Sequence, residues 1–195
     1  MLGKLVLALF IGLFPVLEYK DNFTSKDLCN WEVLSGNWNT VAGELHGTSG
    51  GGDGLIFYKG STFKNFELEC KMRVENREGS LVFRASDKNN LYILVLSPKV
   101  NEESQGSLML IRRIKGKETY FAGSEQYFRV KEPVKLKVIC EGKKIDVYVN
   151  ENLRLSVEDD NLSAGYTGLR VFGDFFNSAG AYFKEFSVKE TEKSK

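Results

Sequence analysis

Between Phe63 and Leu96 the chain alternates so regularly that strands satisfy the pattern and helices do not. Phe66, Leu68, Cys70, Met72 and Val74 fall on one side of a pleat, and Glu67, Glu69, Lys71 and Arg73 on the other. A period of two over this length marks a strand with one buried and one solvated face. Residues 80–85 form a second strand. After the turn signal Asp87-Lys88-Asn89-Asn90, residues 91–96 form a third. If Leu81, Phe83 and Ala85 point to the core, Val82 and Arg84 point out. If Leu91, Ile93 and Val95 do so, Tyr92 points out as well.

The same signature continues along the chain, with turn residues between short runs and no long amphipathic period. Strands are expected at residues 19–23, 31–34, 38–41, 44–46 and 55–58, then at 108–114, 119–122, 134–140, 145–149, 153–157, 168–172 and 181–188. The Gly-rich stretch from Thr48 to Gly54 reads as a loop. It opens no helix and carries no following Lys-Ser or Lys-Thr, so it is no phosphate cradle. About a dozen strands without helices imply an all-β fold, a two-sheet antiparallel β-sandwich or jelly roll.

Bulk composition narrows function more than fold. With 42% hydrophobic and 27% charged residues the chain is suited to a packed core rather than to disorder. A formal net charge of +1 supplies no basic footprint for nucleic acid. Cys29, Cys70 and Cys140 are odd in number and make no disulfide framework; Cys70 and Cys140 share the apolar parity of their strands. One His and three scattered Cys give no zinc spacing.

The N-terminus differs in kind. Lys4 precedes an apolar run from Leu5 to Leu17, the length of a secretory h-region and short of the ~20 residues that a membrane span needs. Residues 1–17 are therefore expected to be a signal peptide or N-terminal anchor, residues 18–189 the sandwich, and residues 190–195 a charged tail. An extracellular or cell-surface location follows from that expectation, with membrane contact only through an uncleaved leader.

Several segments together resemble a known superfamily: Tyr19-Lys20-Asp21-Asn22-Phe23, Gly36-Asn37-Trp38, Phe66-Glu67-Leu68-Glu69, Gly79 to Arg84, Asn90-Leu91-Tyr92, Ile145 to Asn150 and Gly168-Leu169-Arg170. The pattern is similar to the concanavalin A-like lectin/glucanase superfamily. Within it the chain looks most like the 3-keto-disaccharide hydrolase domain and the sandwich modules of levanases. The resemblance implies a jelly roll that handles carbohydrate. It also implies a structural calcium ion, with Asp21 as its opening ligand; Lys184 stands where an acid is usual, and Glu185 is the substitute.

The candidate site residues follow from side-chain direction. Glu69, Arg84, Tyr92, Arg112 and Arg170 are expected on one open face, where guanidinium forks suit vicinal hydroxyls and a phenol ring suits a sugar face. The competing reading is a cross-strand salt-bridge row. Glu67 and Glu69 are the weak candidates for acid–base catalysis, because the E-x-D-x-E run of laminarinase-type relatives is absent. His46 has no acidic neighbour in sequence and reads as a surface residue, whereas Trp31 and Trp38 read as core. The expected function is a carbohydrate-binding domain. A glycoside-processing hydrolase and an adhesive surface protein stay open.

Overall fold

The computed structural model describes residues 16–97, 106–126, 131–174 and 178–191. Most of the leader thus lies outside the described residues. Fifteen strands and no helix make up the described chain. They are β1 (Glu18–Asp21), β2 (Trp31–Ser35), β3 (Asn37–Val41), β4 (Glu44–Ser49), β5 (Gly52–Phe63), β6 (Phe66–Asn76), β7 (Glu78–Asp87) and β8 (Asn90–Ser97). The second half supplies β9 (Gly106–Ile114), β10 (Lys117–Gln126), β11 (Val134–Glu141), β12 (Lys144–Val149), β13 (Asn152–Glu158), β14 (Gly165–Gly173) and β15 (Ala179–Glu190). Every expected strand is present. β5 runs further than residues 55–58 because β14 pairs with it from Gly173↔Gly52 to Gly165↔Phe63, drawing the end of the Gly-rich loop into the ladder.

The strands form two antiparallel sheets. The first has the order β13-β12-β11-β6-β15-β4-β3, with β1 added beside β15; the second runs β10-β9-β8-β7-β14-β5-β2. Between them lies the main core. Phe66, Leu68, Cys70, Met72 and Val74 enter it from β6, and Val134, Leu136, Val138 and Cys140 from β11, as the alternation requires. Trp31 is buried there, and Trp38 packs against Phe183 at its margin.

β8 corrects the sequence reading. Leu91, Ile93 and Val95 belong to a second apolar cluster, with Leu55, Phe57, Val82 and Ala85, on the face of the second sheet turned away from the first. Tyr92 points the other way, into the main core, and is 0% exposed. Alternation fixes which residues share a face but not which face is the core, and β8 is apolar on both parities. The Tyr92 hydroxyl settles the matter: it donates to Asp159 and accepts from the Leu162 amide at 3.2 Å.

Arg84 is a second correction. The β7–β8 register shifts between Phe83 and Asp87, and Arg84 adopts φ +48°, a left-handed conformation that breaks the alternation. Its guanidinium is 0% exposed. It donates to the carbonyls of Lys64 (2.9 Å), Gly142 (2.6 Å) and Leu162 (3.3 Å), tying three connections together at one end of the sandwich.

Candidate functional site

The five residues expected on one face do not share it. Arg84 and Tyr92 are sealed inside. Arg112 shares the inward parity of Leu108 and Leu110, pairs with Asp159 and lies over the Phe121 ring. Glu69 belongs to the outer face of the first sheet, where Lys135 (3.2 Å) and Lys137 (3.5 Å) hold it, so the salt-bridge reading describes its surroundings. Glu67 stands on the same face, in register with Ile139 and Lys189. Arg170 points to the outer side of the second sheet, away from the Glu69 face, and is itself buried there at 1% exposure.

Around Arg170 a different set of charges gathers. Asp53 has the parity of Leu55 on β5, Glu78 that of Val82 on β7, and Arg113 that of Ile111 and Met109 on β9; Glu118 pairs with Arg113 across the β9–β10 hairpin. Arg170 Nε donates to Asp53 Oδ1 at 2.6 Å, and Nη1 to Glu78 Oε2 at 3.2 Å. Arg113 Nη1 contacts Asp53 Oδ2 at 2.7 Å, and the same guanidinium pairs with Glu118. The Arg170 guanidinium also lies 4.6 Å from the Phe172 ring centre. β5 and β9 are four places apart in the sheet, about 19 Å at the usual strand spacing, so the contact between Asp53 and Arg113 requires this face to curl.

The two half-buried carboxylates respond differently to this setting. Burial pushes Asp53 up, but Arg170 and Arg113 together outweigh it and hold Asp53 below its ordinary value. Burial also pushes Glu78 up, and there it wins over the pull of Arg170, helped by the negative charges of Glu118 and Asp53. Next to Arg170 in the ladder stands Ser80, whose buried hydroxyl has no hydrogen-bond partner. An unpaired buried hydroxyl is uncommon in a packed sheet.

The sequence is matched over residues 18–189 by the family model described as 3-keto-alpha-glucoside-1,2-lyase-like domain. The chain belongs to this family. Among solved structures it is similar to a carbohydrate-binding module, CBM66, from Bacillus subtilis, with a TM-score of 0.72 and 22% identity over 83% of this chain and 96% of that one. A galectin-like protein of unknown function from Bacillus subtilis gives a TM-score of 0.69 at 16% identity, over 91% and 97% of the two chains. A putative glycosyl hydrolase from Parabacteroides distasonis gives 0.63 at 13% identity, over 87% and 92%. Comparison with curated proteins returns no match. These structural likenesses establish the sandwich fold.

The lyase-like fold does not carry a fitting calcium set at the expected position. Tyr19 Oη, the Phe23 amide and Trp31 Nε1 all donate to the Asp21 carboxylate, at 2.8, 2.7 and 2.9 Å, and Glu185 turns to Lys71 at 2.8 Å. Among the described residues no three His, Cys, Asp or Glu side chains converge as metal ligands. Asp21 instead ties the opening strand to the buried indole of Trp31.

Sequence reasoning passed over four of the five charged residues for identifiable reasons. Asp53 was hidden in a glycine run. Glu78 and Glu118 flank turns, where charge is ordinary. Arg113 follows Arg112, and a strand must put the two on opposite faces. The usable signal was the apolar parity of Met109 and Ile111, which Arg113 continues.

Proposed function

We propose that this protein is a carbohydrate-binding domain whose saccharide seat is the curled outer face of the second sheet, centred on Arg170. The observation that carries this reading is the convergence of Asp53, Glu78, Arg113, Glu118 and Arg170 from four strands and a hairpin onto one face. The Arg113 and Arg170 guanidinium forks supply donors and the carboxylates that fix them supply acceptors, the two kinds of group that sugar hydroxyls pair with, and Ser80 adds a hydroxyl without a partner. The family match and the CBM66 likeness support a sugar as the ligand. The leader supports an exported protein. Affinity electrophoresis in neutral polysaccharide gels tests the seat: Arg170→Lys and Ser80→Val are expected to weaken retardation while keeping the unfolding midpoint near that of the parent. Undiminished retardation in both variants would defeat the assignment.

A second reading, favoured by the opposed shifts of Asp53 and Glu78, is a glycoside-processing enzyme. Neighbouring carboxyl groups pushed apart are the arrangement by which an ionised base and a protonated acid work at one pH. Asp53 would take a substrate proton and Glu78 would protonate the leaving oxygen. Turnover of a 3-keto-α-glucoside should then fall as pH rises through the raised Glu78 value, and Glu78→Gln should abolish it. No released sugar across that range would remove this reading.

A further inference from the structure

On the opposite side of the sandwich, the outer face of the first sheet carries an arrangement that simple solvation does not explain. Lys184 on β15 stands directly opposite Lys71 on β6, and Lys71 stands directly opposite Lys135 on β11. Three lysines thus form one cross-strand row about 10 Å long, although like charges placed opposite each other destabilise a sheet. Two of them have acidic partners: Glu185 at 2.8 Å for Lys71, and Glu69 and Glu151 at 3.2 and 2.7 Å for Lys135. Lys184 has none among the described residues.

A hollow of about 330 Å³ opens beside this row, lined by Glu44, Lys71, Arg73, Lys135, Lys184 and Glu185 among others. Its four cations outnumber its two carboxylates. A smaller hollow of about 170 Å³ shares Lys71, Lys135 and Glu185 and adds Lys20 and Glu69. Where the two meet, β15 is distorted: its register with β6 shifts between Lys184 and Ser187, and Glu185 takes φ +53°. A bulge of this kind bends the strand, and here it makes the face a groove rather than a flat ladder. Backbone strain in the middle of a long central strand is commonly tied to a ligand site.

We propose that this groove is a second binding site, which takes an acidic polysaccharide through its carboxylate or sulfate groups. The row is longer than one such group and matches successive charges along a chain. Phe186 is the aromatic residue of the smaller hollow and is buried, the larger is lined by no aromatic ring, and the neighbouring Tyr182 ring is engaged by the Arg73 guanidinium at 3.9 Å and by His46 stacked at 4.2 Å, so the groove offers little surface for stacking nucleobases. This site is independent of the saccharide seat around Arg170.

Gels containing polygalacturonate, dextran sulfate or neutral dextran, with a single-stranded oligonucleotide as a fourth arm, test it. Retardation is expected with one or both acidic polymers, fading as added salt screens the contact. Retardation by polygalacturonate alone assigns carboxylate groups, and by dextran sulfate alone sulfate groups. Lys184→Glu should weaken it roughly tenfold, the scale of one charge-assisted contact, whereas Arg170→Lys should leave it unchanged. Equal retardation of parent and Lys184→Glu, dependence on Arg170, or binding confined to the oligonucleotide would each overturn the proposal.

Discussion

Arg84 shows what a single residue can do when it leaves its expected face. Its guanidinium is buried without a carboxylate partner among the described residues, and its Nε makes no hydrogen bond. Burying a cation is costly, but here the cation holds the carbonyls of three separate connections, and losing a buried donor leaves each acceptor unpaired. Three such losses at about 2 kcal/mol each outweigh the few kcal/mol of relief from removing one buried charge. Arg84→Met is expected to destabilise the fold by about 3 kcal/mol, measured by urea denaturation. A variant as stable as the parent would mean that desolvation cancels all three bonds. Nothing local announces this role. Phe83-Arg84-Ala85 reads as ordinary alternation, and the positive φ that overturns it answers to Lys64, Gly142 and Leu162, all distant in sequence.

At the scale of elements, β14 shows how closely the site face is packed. It lies between β5 and β7 and carries Arg170, and two positions before it Gly168 meets both neighbours. A Cβ added at Gly168 would stand 2.3 Å from the Ile56 carbonyl oxygen and 2.8 Å from Phe57 Cδ1. The carbonyl belongs to the backbone and cannot rotate away, so the ladder itself would have to part. Gly168→Ala should therefore cost about 2 kcal/mol or more, and should loosen the Phe57–Tyr166 ring pair beside the seat. Thermal denaturation with near-ultraviolet circular dichroism reads both effects, and an unchanged midpoint would refute the tight approach. The contrast between β6 and β8 shows how much of the elements was legible. β6 alternates charged with apolar residues and could be oriented from sequence. β8 offers no such contrast, and its orientation depends on Asp159 and Leu162, which the chain supplies much later.

The whole molecule was legible as an architecture and much less as a site. The all-β class and the two sheets follow from period and punctuation, because each strand records its own faces, whereas the family rests on the resemblance of whole segments. A site assembled from β5, β7, β9, β14 and a hairpin depends on sheet order, which no local pattern records; hence Arg170 was found and Asp53 was not. The cysteines follow the same logic. β6 and β11 are neighbours in the first sheet, but Cys70 faces Leu136 and Cys140 faces Phe66. The two thiols are therefore four rungs apart, about 13 Å along the strands, beyond the roughly 7 Å that a disulfide spans between Cα atoms. Burial raises both thiols, Cys140 to about 12, so neither supplies thiolate for exchange near neutral pH. Stability must then come from the sandwich core without covalent help, and adding dithiothreitol should leave the unfolding midpoint unchanged. A midpoint that falls on reduction would require β6 and β11 to pair four rungs away from the register described, an even slip that keeps the same side chains inward but changes every cross-strand partner between them.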